Sequence, residues 1–567
     1  MMRLTLAGIL TACAAVDTKA ASAVPRPALV VALSVDQLSA GLFDQYRGRF
    51  SGGLRRLVDE GVVFPNGYQS HAATETCPGH STLLTGRHPA GTGIIGNQWY
   101  AATDTPEGKR ELKKQYCVWD PGSPVPGRPK DPRGPRNLRV TTLGEWMHRA
   151  DRNSRTVAVS GKDRAAITMA GHDPTAVYWW DNDRGFNTYV PKGATEEGRL
   201  EPVKAFNDAL AARWASQRPE WRVAENACGA LAGPERYGAL VLDHVVPPPL
   251  VRAGQEGPLR QDEGFVRWLR ASPILDELTL DLASRLVDRF ALGRRSATDL
   301  LAVSLSATDY IGHTYGNQGP EMCDQLAHLD LALGKFLDRL DALRVPYVVV
   351  LSADHGALDA AERVAERGVH ARRVAPDLAA DANRALREQA DLHLDFDPLV
   401  REGDAFYLDR LKTDEPRRAL VAKAARTFLA SRQEVAAVFT KEEALATRVP
   451  AGKAPDELTL LERVAESIDA ERSGDLLVAL QPYTSVGMPR KRGDNVAGHG
   501  SPWNYDRRVP ILFWRSGGGH FEQSLPIETV DIAPTLASLL GLHMPDGIPL
   551  DGVCRDLDAG PGSTCGP

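Results

Sequence analysis

The sequence lacks several features that would direct a chain to a particular partner. It has no surplus of positive charge: 67 Lys and Arg stand against 73 Asp and Glu, a net charge of −6, with the two signs interspersed. That excludes the basic field that draws proteins onto nucleic acid, so an anionic ligand must be held by a local site. Beyond the N-terminus no segment approaches the roughly 20 apolar residues needed to cross a bilayer. Repeats and low-complexity tracts are missing, and none of the seven cysteines has zinc-finger spacing. What is present is 567 residues with 43% hydrophobic content. That suffices for a large core and is too long for one simple domain, which predicts a core carrying inserted segments.

The opening stretch has one early arginine, an apolar run from Leu4 to Ala12, a small-residue Ala21-Ser22-Ala23, and no acidic residue before Asp17. It reads as an export signal over residues 1–23. Leu10-Thr11-Ala12-Cys13 also fits a bacterial lipoprotein box, in which Cys13 becomes the lipidated mature N-terminus. Both routes stay open, and both predict a periplasmic protein, with or without a lipid anchor at Cys13. A cytosolic helix is the plainer alternative, but no amphipathic period supports it. Without Cys13, six cysteines remain, an even number that suits disulfides in an oxidising compartment. Cys77 with Cys117, and Cys554 with Cys565, are the pairs to test.

Four short apolar runs end abruptly in polar chemistry. Residues 28–35 lead into Asp36, 156–160 into Gly161-Lys162-Asp163-Arg164, 301–306 into Thr308-Asp309, and 345–352 into Asp354-His355. Such runs, bounded by turn signals, predict buried strands of a largely parallel sheet in an α/β fold. Helical spacing lies between them, best seen in Leu326, Leu329, Leu333, Leu337 and Leu340. In open α/β sheets ligands sit beyond the carboxyl ends of the strands, where all four clusters fall. A lone Asp after a strand is more often a loop carboxylate facing water. Four clusters together, with Asp309 and His313 four residues apart, suggest a metal centre. Carboxylate and imidazole without thiolate suit zinc in a hydrolytic site, with manganese and iron left open by ligand type.

A further constellation runs from Thr74 to Gly86. Thr76 reads as a helix N-cap, Pro78 suits a first turn and Gly86 a stop. A hydroxyl at a helix N-terminus meets exposed amides and a positive dipole, which favour an alkoxide and an incoming phosphate. On its own this is also what any well-capped helix looks like.

TETCPGHSTLLTG followed by GTGIIGNQWY resembles the nucleophile region of the phosphate-irrepressible alkaline phosphatases. SGKDR, SATDYIGHTYG, LSADHG, VAGHGS, TVDIAPTLASLLGL and PDGIPLDG follow in that family's order. The resemblance extends from about Asp36 to Gly552 and implies an alkaline phosphatase-like three-layer sandwich around a central, mostly parallel sheet. It implies a catalytic domain over 27–555, and the stretches near 98–155, 182–297 and 358–472 read as insertions, the last helical with a strand near 434–439. It also implies two zinc ions, one on Asp309, His313 and His499, the other on Asp36, Asp354 and His355 with Thr76 as a further ligand. Thr76 would attack phosphorus to give a phospho-threonine, and Asn97 would donate its amide to a phosphoryl oxygen.

Lys162 and Arg164 bear on the choice of substrate. At spacing two on an extended segment they would point the same way, and two cations suit the dianion of a phosphate monoester. Related nucleotide pyrophosphatases replace this pair. The expectation is therefore an alkaline phosphatase acting on small phosphate esters, with some diester activity. A phosphodiesterase or nucleotide pyrophosphatase is the alternative. A noncatalytic metal-binding surface protein would have little use for Thr76, Asn97, Lys162 and Arg164 together. A sulfatase is disfavoured because no C-x-P-S-R or S-x-P-S-R stands in the sequence. Nothing in the sequence sets the oligomeric state.

Overall fold

The computed structural model describes residues 25–542, 549–560 and 562–565, apart from 105–109, 218, 224–227, 230–232, 245–262, 376, 410–411 and 414. The export signal over 1–23, the lipoprotein site Cys13 and residues 545–548 of the PDGIPLDG motif lie outside the described residues.

Seven principal strands build the central sheet: β1 Leu29–Val35, β2 Val62–Tyr68, β3 Thr156–Ser160, β4 Ala176–Asp181, β5 Asp299–Leu305, β6 Tyr347–Ser352 and β7 Arg508–Arg515. Their order is β2-β7-β6-β1-β5-β3-β4, and three short edge strands complete a ten-stranded sheet among the described residues. β6, β1, β5, β3 and β4 run parallel, whereas β7 is antiparallel to β6 and β2. The alternation of side chains explains the unbroken apolar runs. Leu29, Val31, Leu33 and Val35 of β1 enter one core while Val30 and Ala32 enter a second on the opposite face.

Helices cover both faces, so the expected three layers are present. α1 Thr76–Leu83 and α2 Asp163–Ala170 pack into one core; α3 Ile274–Arg289, α4 Ala307–Tyr315 and α5 Pro320–Asp341 pack into the other. All five leucines of the predicted helical stripe are buried in α5. Each such side chain contributes about 1.5–3 kcal/mol relative to exposure.

The strand expected near 434–439 is Val435–Thr440, and it belongs to a four-stranded sheet with Leu399–Glu402, Ala405–Leu408 and Leu476–Leu480. This unit has its own apolar core around Leu386, Phe406, Val421 and Leu429. Because Leu476–Leu480 pairs with strands on both sides, the unit extends past Arg472. A hairpin, Gln98–Asp104 with Arg110–Tyr116, opens the stretch after α1. The six described cysteines form Cys77–Cys117, Cys228–Cys323 and Cys554–Cys565.

Candidate active site

Four adjacent strands bring the polar clusters to one edge of the sheet. In the order β6, β1, β5, β3 their carboxyl ends deliver Asp354 and His355, then Asp36, then Asp309 through α4, then Lys162 and Arg164 through α2. α1 is held against this edge by a close approach. A Cβ on Gly79 would stand 1.9 Å from the Asp354 backbone oxygen, so only glycine lets the helix sit there.

Thr76 is the first residue of α1 and not its N-cap; Glu75 takes the capping position in extended conformation. The reason is visible across the loop. The Cys77 amide N–H donates to Asn97 Oδ1 at 2.9 Å, so a neighbouring side chain satisfies the helix terminus and Thr76 need not. Thr76 Oγ1 instead lies 3.5 Å from Lys162 Nζ and 3.3 Å from Arg164 Nη2. The Asn97 N–H donates to Glu75 Oε2 at 2.6 Å. With Oδ1 engaged, the Asn97 side chain keeps Nδ2 as its donor.

Lys162 and Arg164 do not share an extended segment. Lys162 is the N-cap of α2, with φ −126° and ψ 134°, and Arg164 is the second residue inside the helix. They converge because the chain turns between them. Lys162 Nζ is also 2.6 Å from Asp36 Oδ2 and 2.5 Å from Asp309 Oδ2, a buried bridge between two carboxylates that spacing did not suggest. Burial alone would lower the Lys162 pKa, but the charges on Asp309 and Asp36 raise it. Burial pushes Asp36 well above the usual carboxylate range, helped by the charge on Asp354, whereas Asp309 is held well below because Lys162 and His313 overcome its burial.

The predicted metal ligands meet in space. Ligand atoms of Asp309, His313 and His499 lie within 4.8 Å of one another, as do those of Asp36, Asp309 and His355. His355 Nε2 is 3.3 Å from Asp354 Oδ2 and 3.6 Å from Asp36 Oδ1; His313 and His499 Nε2 are 3.2 and 3.4 Å from Asp309 Oδ1. Each histidine has its other nitrogen on a backbone carbonyl: His313 Nδ1 on Ala497 O, His355 Nδ1 on Gly356 O and His499 Nδ1 on Thr74 O, at 2.8 to 2.9 Å. That pairing fixes the tautomer that turns the Nε2 lone pair inward, as metal-ligating histidines require. Asp36 Oδ2 is taken by Lys162, but Asp36 Oδ1, Asp354 Oδ2 and His355 Nε2 are buried and have no hydrogen-bond partner among the described residues. Orphaned buried acceptors facing one another are costly, and divalent cations would satisfy them, so the residue set fits metal. Burial pushes His355 down to about 3, whereas His499 is pushed up to about 9 because its bond to Asp309 outweighs burial.

Three contributors had no sequence signal of their own. The Gln37 backbone N–H donates to Asp354 Oδ1 at 3.1 Å and its Nε2 to Asp309 Oδ1 at 2.8 Å, which ties carboxylates from β6 and α4 together. Its φ of 71° is a left-handed conformation that a side chain adopts at a cost of about 1–3 kcal/mol. His80 is fully buried, with Nδ1 2.9 Å from Thr76 O and 3.1 Å from Asp354 Oδ2 and Nε2 2.9 Å from Ser304 Oγ. Donating to the Thr76 carbonyl, its Nδ1 has no lone pair for a metal; it holds the Thr76 backbone against Asp354. Tyr116 donates to Asp163 Oδ1 at 2.7 Å and its oxygen lies 3.5 Å from Arg164 Nη1, which links the first hairpin to the cations.

A cavity of about 610 Å³ opens beside His499, lined in part by Glu75, Arg373, Arg401 and Tyr505. A smaller one of about 170 Å³ lies on the Lys162 and Arg164 side, with Arg133, Trp179 and Arg270.

Residues 30–502 match the family model described as Type I phosphodiesterase / nucleotide pyrophosphatase. The chain is 41% identical over 548 residues to alkaline phosphatase PhoK of Sphingomonas sp, across 95% of this chain and 92% of that protein. It is also 41% identical over 545 residues to alkaline phosphatase PhoD of Zymomonas mobilis, across 95% and 89%. Its fold superposes on the crystal structure of wild type alkaline phosphatase PafA with a TM-score of 0.77 at 27% identity, covering 94% of this chain and 99% of that one. The chain belongs to the type I phosphodiesterase / nucleotide pyrophosphatase family, within the alkaline phosphatase superfamily.

Proposed function

We propose that the chain is an alkaline phosphatase that hydrolyses small phosphate monoesters through a phospho-threonine at Thr76. The observation that carries this reading is the Thr76 hydroxyl, which faces Lys162 and Arg164 beside carboxylate oxygens of Asp36 and Asp354 that are buried without a hydrogen-bond partner among the described residues. Its relatives' names point the same way.

In this reading the Thr76 hydroxyl gives its proton to water and its oxygen attacks phosphorus while the bond from phosphorus to the ester oxygen breaks, and the departing oxygen takes a proton back from water. Water then cleaves the phospho-threonine, releasing phosphate and restoring the hydroxyl. Arg164 can grip two oxygens of a dianionic phosphoryl group and Lys162 adds a point charge. Asn97 Nδ2 donates to a third oxygen, and its hydrogen bond strengthens as charge develops. Asp36, Asp354 and His355, with Thr76, would hold one zinc ion, and Asp309, His313 and His499 a second. Bound there, zinc supplies Lewis acidity, lowering the pKa of the attacking hydroxyl and neutralising the leaving oxygen.

A phosphodiesterase reading keeps Thr76 and the ligands and is favoured by the family model. A diester carries one negative charge fewer and has less use for two cations, so Lys162 and Arg164 favour the monoester. The reading extends to location. An export signal over 1–23 and three disulfides support a periplasmic protein, with a lipid anchor at Cys13 as the alternative.

Acid quenching during turnover, followed by peptide mass spectrometry, tests the intermediate. The phosphoryl group is expected on the peptide carrying Thr76, and its presence on any other residue would overturn the assignment.

A further inference from the structure

A second group of ligating side chains lies apart from the catalytic edge. His88 caps the short helix Pro89–Thr92 that follows α1, and around its ring stand Glu466 from the 358–480 unit, Glu528 from an edge strand beside β2, and Asp551 near the C-terminus. His88 Nδ1 is 3.7 Å from Glu466 Oε1 and 3.8 Å from Asp551 Oδ2, and Nε2 is 3.7 Å from Glu528 Oε1. These separations are too long for hydrogen bonds. An imidazole ligates through one nitrogen, and the two Nδ1 separations lie close to the spacing of neighbouring atoms around one ion with ligand bonds of about 2.0–2.2 Å; one ligand atom each of His88, Glu466 and Glu528 also lies within 4.8 Å of the others. The single hydrogen bond of the ring among the described residues runs between Nε2 and Ser70 Oγ at 3.0 Å. With the proton on Nε2, Nδ1 keeps its lone pair, the arrangement of a ligating histidine with a polar partner behind it.

Independent support comes from Glu466. The residue is 6% exposed, and its Oε2 is buried without a hydrogen-bond partner among the described residues. The nearby Arg507 does not provide one: its guanidinium donates to the Ser70 and Pro455 carbonyls and to Asn504 Oδ1. Arg87 lies on the outer side, 3.0 Å from Asp551 Oδ2. Three carboxylates and one imidazole are thus gathered with a buried acceptor unfilled.

We propose that His88, Glu466 and Glu528, with Asp551 alongside, form a third metal site for one divalent cation such as zinc or manganese. The mixed imidazole and carboxylate set suits either ion. The bound ion would join four stretches remote in sequence: the exit of α1, the 358–480 unit, the edge of the sheet and the C-terminal segment. It is distant in role from the reacting phosphate and acts on stability. The competing arrangement is a protonated His88 closed among the same carboxylates. Burial would lower the pKa of that imidazole, but Glu466 and Glu528 raise it to about 10.

The test is a metal count on the full chain, loaded with excess zinc or manganese, desalted and measured by inductively coupled plasma mass spectrometry. Glu466→Gln is compared with wild type, and again in an Asp309→Asn background where the catalytic ligand set is broken. The proposal predicts one ion fewer per chain on Glu466→Gln in both backgrounds, with kcat at saturating metal within about twofold of wild type. Equal metal content in both pairs would overturn it and leave the ion-paired histidine. If Glu466→Gln fails to fold, His88→Gln supplies the same comparison. Because the readout is a difference within each pair, failure here is distinguishable from failure of the catalytic reading.

Discussion

A threonine hydroxyl is a weak nucleophile, and what sets Thr76 apart is its surroundings. Asn97 relieves it of capping α1, and two cations lie within 3.5 Å of its oxygen. Thr76→Ala removes the attacking atom, and turnover of an aryl phosphate is expected to fall by at least about 10³-fold with metal content unchanged. Paired kinetics and metal analysis check this, and turnover that survives would refute the nucleophile. Arg164→Ala is expected to cost monoester kcat/KM about 10²-fold and diester kcat/KM much less. An equal loss on both esters would remove the argument from charge. The residues that the fold gathers at the candidate site were legible because each follows an apolar run or sits in a motif with a family likeness. Gln37 and His80 were not, since their contribution is a left-handed backbone at one and a buried bond to a carbonyl at the other. Neither leaves a spacing to read. Lys162 and Arg164 were found as a pair but on the wrong local structure, because a two-residue spacing does not reveal that a helix begins between them.

Among the elements, contacts of α1 and α4 with their neighbours decide where the ligands stand. Gly79→Ala would drive a methyl group into the Asp354 carbonyl. It is expected to destabilise the fold by about 1–3 kcal/mol and to weaken metal retention, read as lower Tm and faster zinc loss to a chelator. Retained Tm and retained zinc would show that α1 can shift without consequence. α4 is anchored by Asp276 of α3, which accepts from Ala307 N–H and Gln325 Nε2, both at 2.9 Å. Burial pushes that carboxyl up to about 7, above its usual value of about 4. A group whose folded pKa is raised binds more protons folded than unfolded. Its contribution to stability is therefore greatest at low pH and declines between about pH 4 and 7. Asp276→Asn cannot ionise, and Gln325 Oε1, buried without a partner among the described residues, can accept from the new amide. Its Tm is expected to exceed that of wild type at about pH 8, by the equivalent of a few kcal/mol at most, with the advantage shrinking as pH falls toward 4. An advantage unchanged by pH would contradict the assignment. The four central parallel strands were legible from their apolar runs. β2 was not, since Pro65, Asn66 and Gly67 interrupt its pattern, and β7 ends in no cluster that draws notice.

On the scale of the whole molecule, three devices join a core to its insertions: the sheet, the candidate metal ligands drawn from segments more than 450 residues apart between Asp36 and His499, and the disulfides. Cys228–Cys323 spans 95 residues and Cys554–Cys565 spans 11. Loop-closure entropy ranks the first at roughly 4–5 kcal/mol and the second at roughly 3 kcal/mol. Replacing each pair by serine is expected to lower Tm in that order, and the reverse order would show that local packing dominates. The four-stranded unit was only partly legible because its strands are four to six residues long and its helices dominate the composition. The pair Cys228–Cys323 follows from the sequence only as the remainder once the other two pairs are named, since nothing in its spacing of 95 residues marks it.

The central claim is that this chain acts on monoesters with Thr76, Lys162 and Arg164 working on one phosphoryl group. The most direct measurement is the ratio of hydrolysis rates for para-nitrophenyl phosphate and bis-para-nitrophenyl phosphate by the zinc-loaded enzyme at alkaline pH. A strong monoester preference that collapses in the Lys162→Ala, Arg164→Ala double variant is the predicted result. A diester preference in the wild type would contradict it, leaving Thr76 and the metal ligands in place but taking the two cations away from the reacting phosphate.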